Sequence, residues 1–309
     1  MEPTLRKAAK GITDVPLFSA EEARAWGISA KDLTILVRRG LILRLDRGWY
    51  STMVAAEPSE LHVLRTAAAL RMHSGPVAAG HSAVLLHDLP LARADLSTVE
   101  LARVSDGHGV IRQGVRVRRE TGLPNVPVTI PMLGQSARAV DIPSAIVGTA
   151  LTNNPVAALV AGDGALHSKR CTTQQIDAAL AAARGSVGIA RARDVLELLD
   201  HRHESAGETL THWELGRLGW ELIPQWEVTL ASGRKRRLDL RVKGERVAIE
   251  YDGRDKMKLP RAREKLEARQ IALEGMGWEF VRVVSEDLDD PVGLHRRVQD
   301  AVAASRRAA

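Results

Sequence analysis

Three carboxylates stand inside stretches that otherwise read as apolar strands. Asp239 lies within Lys235–Val242, and Glu250 and Asp252 close the run Val247-Ala248-Ile249-Glu250-Tyr251-Asp252-Gly253. An unpaired charge among apolar residues costs several kcal/mol, so a fold that accepts these segments must bring cations or hydrogen-bond donors to them. The neighbouring pattern indicates which fold. Glu204–Leu218 reads as a helix with Glu208 near its start and Leu210, Trp213, Leu215 and Leu218 on the buried side. Ile223–Leu230, Lys235–Val242 and Arg246–Asp252 read as three strands separated by Ser232-Gly233 and Lys243-Gly244 turns. A charged helix over Pro260–Glu274, a strand at Trp278–Val284 and a last helix near Pro291–Ala304 complete a helix–hairpin–strand–helix–strand unit. Four of the six Trp (Trp213, Trp220, Trp226, Trp278) fall in this region, enough for a core of its own.

Asp239 and Glu250 are expected on neighbouring strands near the same end. Two carboxylates a few ångströms apart repel, and one is protonated unless a cation lies between them. A hard divalent ion, Mg²⁺ or Mn²⁺, with Asp239, Glu250 and a third carboxylate from Glu208, resolves the repulsion and polarises a phosphoryl oxygen. Charge points the same way. The chain has 309 residues and a formal net charge of +6, yet the segment from Arg234 to Arg269 alone holds fourteen Lys or Arg against seven Asp or Glu. Such a cluster, with Arg236 and Arg237 on the second strand, fits a polyanion, because neutralising phosphates releases counterions. A solvated Arg-rich surface is the alternative.

The first fifty residues carry a second pattern. After a short helix expected at Thr4–Lys10, Ser19 with Glu22 makes a capping box, and that helix stops at Gly27. Ser29 caps another helix with Asp32 in its first turn, ending at Gly40, a left-handed terminator. Leu41–Leu45 and Trp49–Thr52 then form two strands around Asp46-Arg47-Gly48. Two capped helices across a tight Gly turn and a basic hairpin describe a winged helix-turn-helix. Leu33, Leu36 and Val37 face its core, while Lys31, Thr34, Arg38 and Arg39 point outward to DNA, with Arg47 on the wing. The competing reading is a helix pair that packs protein against protein.

Between these ends, Glu60–Met72 and Ser82–His87 read as helices, Thr98–Val104 and Val110–Arg118 as strands, and Val156–Leu166, Thr173–Ala183 and Ile189–Leu199 as helices. His81 and His87 lack the i, i+4 spacing of two ligands on one helical face, which leaves them structural. Asp163, in Gly162-Asp163-Gly164-Ala165-Leu166, reads as a turn or helix-surface residue.

Two resemblances rest on these residues. Phe18-Ser19-Ala20-Glu21-Glu22-Ala23 with Trp26-Gly27-Ile28-Ser29, then Leu36-Val37-Arg38-Arg39-Gly40-Leu41-Ile42 and Arg47-Gly48-Trp49-Tyr50 resemble the winged helix of actinobacterial AbiEi-type antitoxins. This implies DNA binding, often at the protein's own promoter, and leaves a cognate toxin open. Glu204-Ser205, Glu208, Gln225, Leu238-Asp239-Leu240, Glu250-Tyr251-Asp252-Gly253, Glu264-Lys265 and Gly277-Trp278 with Val281-Arg282-Val283 resemble PD-(D/E)xK endonuclease-like domains related to very-short-patch-repair nucleases. That resemblance implies Mg²⁺-dependent phosphodiester hydrolysis, with Asp239, Glu250, Asp252 and Glu208 as the acidic set. The superfamily's lysine usually lies two residues after the second acid, where this chain has Asp252. Lys265 on the next helix, or Lys256 in the loop, is left to supply the charge, and Lys265 is preferred because a helix packed on the sheet can aim at the strand ends. Gln270 on that helix reads as a surface residue, with orientation of water or phosphate as the alternative.

The expectation is therefore an α+β or α/β multidomain chain. A winged helix-turn-helix occupies 1–55, a mixed α/β middle domain 56–203, and a restriction-endonuclease-like sheet flanked by helices 204–309. A lone Cys171 excludes a disulfide framework and a Cys-based zinc site and fits a reducing compartment. With no signal-peptide core and no run of about 18 apolar residues, the chain reads as cytoplasmic, with double-stranded DNA and no membrane as partner. The expected activity is a metal-dependent endonuclease. The alternative is an AbiEi-like antitoxin or transcriptional repressor whose nuclease fold is inactive, with Arg282 as a structural partner for the carboxylates.

Overall fold

The structure, a computed structural model, describes residues 15–73, 75–104, 109–112, 114–120, 122–230, 232–253 and 270–308. The helix expected at Thr4–Lys10, together with Lys256 and Lys265, lies outside them. The chain is a mixed α/β protein in two compact units, one formed by residues up to Ala158 plus Cys171–Leu196, the other by Leu159–Arg170 plus Glu197–Ala309. Among the described residues no helix is long and apolar enough to cross a membrane.

The first unit begins with β1 (Leu17–Ser19), α1 (Ala20–Ala25), α2 (Ala30–Arg38), β2 (Leu43–Asp46) and β3 (Trp49–Ser51). Both expected caps form. Ser19 and Glu22 exchange bonds at the start of α1, and Ser29 and Asp32 do so at α2, satisfying backbone N–H groups that a helix start leaves open. Phe18, Ala23, Ile28, Leu33, Leu36 and Ile42 close a small core, with Val37 only half-buried against it. β1, not anticipated from the sequence, pairs antiparallel with β3, giving a three-stranded sheet of order β1-β3-β2. This module lies within the first unit. Arg71, on α3 (Pro58–Met72), bonds Glu22 at 2.6 Å and stacks 4.6 Å over the Trp49 ring.

The same unit continues with β4 (Val77–Ala78), α4 (Gly80–Leu86), β5 (Val99–Arg103), β6 (Val110–Arg112), β7 (Val115–Arg119), β8 (Asn125–Thr129), β9 (Ser136–Val140) and α5 (Ile142–Thr152). The strands form one six-stranded sheet of order β6-β7-β5-β4-β9-β8. Val110–Arg118 is thus a β6–β7 hairpin rather than one strand, because the chain turns at Gly114, whose φ of +78° suits glycine. α5 starts at Asp141, which accepts the Ser144 N–H at 3.0 Å, with a Pro in its first turn. α7 (Thr173–Ala182) and α8 (Ile189–Leu196) also belong here.

The second unit takes most of α6 (Pro155–His167), then α9 (Ala206–Arg217), β10 (Leu222–Thr229), β11 (Lys235–Val242), β12 (Val247–Tyr251), β13 (Glu279–Val283), a 3₁₀ turn at Ser285–Asp289 and α10 (Pro291–Ala308). The sheet order is β10-β11-β12-β13. The first three strands are antiparallel neighbours, and β13 runs parallel to β12, as a crossover connection requires. Residues 270–274, in that crossover, are helical. Val228, Leu230, Leu238, Ala248, Leu273 and Trp278 form a core cluster. Arg241 lies 4.4 Å from the Trp226 ring centroid and 5.5 Å from that of Trp278.

Candidate functional site

Cross-strand register assembles a row across the second sheet. Pro224↔Leu240 and Trp226↔Leu238 place Gln225 opposite Asp239, and Leu240↔Ile249, extended by one step, places Asp239 opposite Glu250. Glu250 is paired with Arg282 across the parallel β12–β13 edge. The β11–β12 ladder ends at this row. The Asp239 carboxylate accepts the Tyr251 backbone N–H at 3.1 Å, so a side chain satisfies a strand N–H where the two strands part. Asp239 is half-buried and Glu250 only 7% exposed.

Strand alternation sorts the remaining side chains. Glu250 and Asp252 face one side, and Tyr251 faces the other, where its ring lies against Gly207 on α9. A Cβ at Gly207 would sit 2.1 Å from the ring. Glu208 follows Gly207 in the first turn of α9. Its carboxylate, buried at 3% exposure, accepts the Ser205 hydroxyl at 2.9 Å, the Glu204 N–H at 3.0 Å and the Gln225 amide at 2.9 Å. Gln225 makes that bond from a left-handed backbone, φ +53°, which costs a non-glycine residue about 1–3 kcal/mol.

Among the described residues no group of three His, Cys, Asp or Glu side chains is arranged to hold a metal ion. Glu208 is engaged by three donors, one of them Gln225 from the row that carries Asp239 and Glu250. Asp239 and Glu250 are hard oxygen donors in lateral register, and such a pair is chemically suited to anchor Mg²⁺ or Mn²⁺, ions that keep several waters and bind through one or two carboxylates. Asp252 is held by Arg282 at 2.6 Å, and Arg282 also donates to Gln270 at 2.7 Å. Gln270 is thus tied to the sheet rather than being a plain surface residue.

The basic residues divide. Lys31, Thr34, Arg38 and Arg39 are all exposed on α2, and Arg47 is exposed in the β2–β3 turn. On β11, Arg237 pairs with Glu204, Lys235 with Glu227 at 2.9 Å, and Arg236 is half-buried.

Sequence reasoning missed a buried network beneath α9. Asp163, read as a turn or surface residue, is 1% exposed. It accepts the Asp200 N–H at 2.8 Å and the Thr209 hydroxyl at 2.8 Å, and it meets His203 Nδ1 at 2.7 Å. His203 Nε2 in turn lies 2.9 Å from His212 Nδ1. Burial, and then the neighbouring His203, push His212 down to about 4. No local pattern marks this network, because the direct partners of Asp163 lie 37 to 46 positions away in the chain. The apolar surroundings of Asp163, between Gly162 and Ala165, are its one hint. In the first unit His81 bonds the Thr98 carbonyl at 2.9 Å and His87 the Val140 carbonyl at 2.7 Å, consistent with structural roles.

No family model matches the chain. It is similar to two uncharacterized proteins of Mycobacterium tuberculosis, one from strain CDC 1551 / Oshkosh and one from strain ATCC 25618 / H37Rv. Each is 28% identical over 285 residues, covering 91% of this chain and the whole of the relative.

Proposed function

We propose that the second unit is a metal-dependent phosphodiesterase domain of the PD-(D/E)xK type, acting on double-stranded DNA in the cytoplasm, and that the β1–β3 module is a winged helix that docks α2 on the duplex. The observation that carries the first half is the in-register pair Asp239 and Glu250 at the point where β11 and β12 part. A bound Mg²⁺ or Mn²⁺ supplies Lewis acidity and activates water there. The protein's own part is to hold Asp239 in place through the Tyr251 N–H, to keep Glu250 in a low-exposure site and to present positive charge to the phosphate. The exposed Lys31, Thr34, Arg38 and Arg39 on α2, with Arg47 in the adjoining turn, support the second half. Cleavage of supercoiled and linear DNA with Mg²⁺ or Mn²⁺, beside the Asp239→Ala protein, tests the activity. Metal-dependent scission lost in the variant is expected, and an inactive wild type across DNA and RNA substrates overturns it.

One observation favours a second reading, a repressor or antitoxin-like regulator with a silent nuclease fold. Glu208, Asp252 and Asp239 all accept hydrogen bonds from protein donors. Under that reading the protein binds its duplex, takes up no divalent ion and cuts nothing.

A further inference from the structure

We infer that Arg282 is the phosphate-binding cation of this site, its guanidinium gripping non-bridging oxygens of the phosphodiester that Asp239 and Glu250 act on. The inference rests on the nuclease reading and adds to it the residue that takes the substrate's charge.

The placement comes from register. Glu250 and Arg282 are partners across a parallel strand pair, so their side chains share a face. Asp252, two residues beyond Glu250, is on the same face. That face thus carries Glu250, Asp252 and, from β11, Asp239, and a phosphate approaching three carboxylates is repelled unless a cation stands among them. Arg282 is the cation that the described row places there.

The guanidinium is also held in a fixed pose. One terminal nitrogen donates to Asp252 at 2.6 Å and the other to Gln270 at 2.7 Å. Gln270 is fixed in its turn by donating its own amide to Glu274 at 2.6 Å. Below, Arg297 donates to the Arg282 carbonyl and bonds Asp287 at 2.8 Å. The two partners differ in exposure. The Asp252 side chain is 16% exposed and that of Arg282 36%, so the cation is the more accessible of the two. A guanidinium has five N–H groups in a planar fork that matches two phosphate oxygens at once, and the two bonds named take one N–H from each terminal nitrogen.

A purely structural ion pair and a phosphate clamp make opposite forecasts for the two partners. Duplex binding by the full-length protein, measured by anisotropy without metal over a salt series, separates them. Arg282→Ala should weaken binding and reduce the log–log salt slope by about one, the change expected when one phosphate is no longer neutralised. Asp252→Asn, which removes a negative charge and leaves Arg282 in place, should keep the slope and bind as tightly as wild type or tighter. With Mg²⁺, Arg282→Ala should slow scission about 10²–10³-fold, the loss expected for one preorganised charge stabiliser. If Arg282→Ala does not melt cooperatively, Arg282→Gln, which retains an N–H for Asp252, takes its place with the same expectations. An unchanged slope and rate in a folded Arg282 variant overturns the inference while the nuclease reading stands, as does a parallel loss of affinity in both variants. A wild-type protein that neither binds nor cuts DNA overturns the reading itself, and the inference with it.

Discussion

The Asp239 carboxylate accepts the backbone N–H of Tyr251 across the β11–β12 hairpin, at 3.1 Å. A side chain thus takes the part of a strand carbonyl, and the substitution fixes both where the hairpin opens and where the carboxylate points. Asp239→Asn retains an oxygen that accepts this N–H, whereas Asp239→Leu does not. We expect the Asn protein to melt close to wild type and the Leu protein to lose about 1–3 kcal/mol, the cost of a buried N–H left without a partner. Asp239→Asn and Glu250→Gln should each abolish Mg²⁺-dependent scission and calorimetric metal binding, with duplex affinity equal or higher. Retained cleavage in either neutral variant would place the chemistry elsewhere.

Gly207 meets Tyr251 so closely that an added methyl cannot fit beside the ring. Gly207→Ala should destabilise the second unit by about 1–3 kcal/mol, as overpacking does, read from urea denaturation followed by Trp fluorescence. Adding Tyr251→Ala should cost less in the Gly207→Ala background than in wild type, because contacting residues are not additive. Strict additivity would show that the two do not touch.

Asp163 brings a buried carboxylate to His203, Thr209 and the Asp200 N–H. Each buried donor left without its acceptor costs about 1–3 kcal/mol. Asp163→Ala should therefore lower the thermal midpoint sharply, while Asp177→Ala, an exposed position on α7, should barely move it. Equal midpoints for the two variants would return Asp163 to the surface role its sequence implies.

His62 is 1% exposed, with Ser82 Oγ at 2.8 Å and the Leu96 carbonyl at 3.0 Å. Burial, and then the charge of His81, push it down from 6.5 to about 4. Its folded pKa lies below its unfolded one, so between these values the unfolded chain holds the extra proton. Its contribution is intact above about pH 6.5 and is lost as the pH falls towards 4, by an amount of the order of 3 kcal/mol at about 1.4 kcal/mol per unit. Denaturation midpoints measured from pH 7.5 to 4 should fall over that window, and His62→Gln should flatten the fall. A profile as steep as that of wild type would assign the acid loss to other groups.

Arg38→Ala and Arg39→Ala should weaken duplex binding and make its salt dependence shallower, by about one in the log–log slope for each phosphate left without its cation. Both residues are exposed at the end of α2, so the fold should be unaffected. Affinity and slope equal to wild type would take α2 off the DNA.

What the sequence determined by itself was local. Capping pairs three residues apart, Ser19 with Glu22 and Ser29 with Asp32, signal their helices because donor and acceptor lie within one turn. The alternation around Asp239 and Glu250 likewise marks two strands, and the short turn between them puts the two side by side. Other parts escape for one physical reason. β1 and β9 are short strands recognisable only once β3 and β4 lie beside them. Nothing local shows that tertiary packing delivers the Gln225 amide to Glu208, and Arg282 stands open as a partner for any of the carboxylates until its guanidinium bonds Asp252. Asp163 looks like a surface residue because His203 and Thr209, its partners, lie 40 and 46 positions away. Periodicity and caps encode what neighbours in the chain can satisfy among themselves. Which donor reaches a buried carboxylate is decided by chain crossings, and only the tertiary structure contains those.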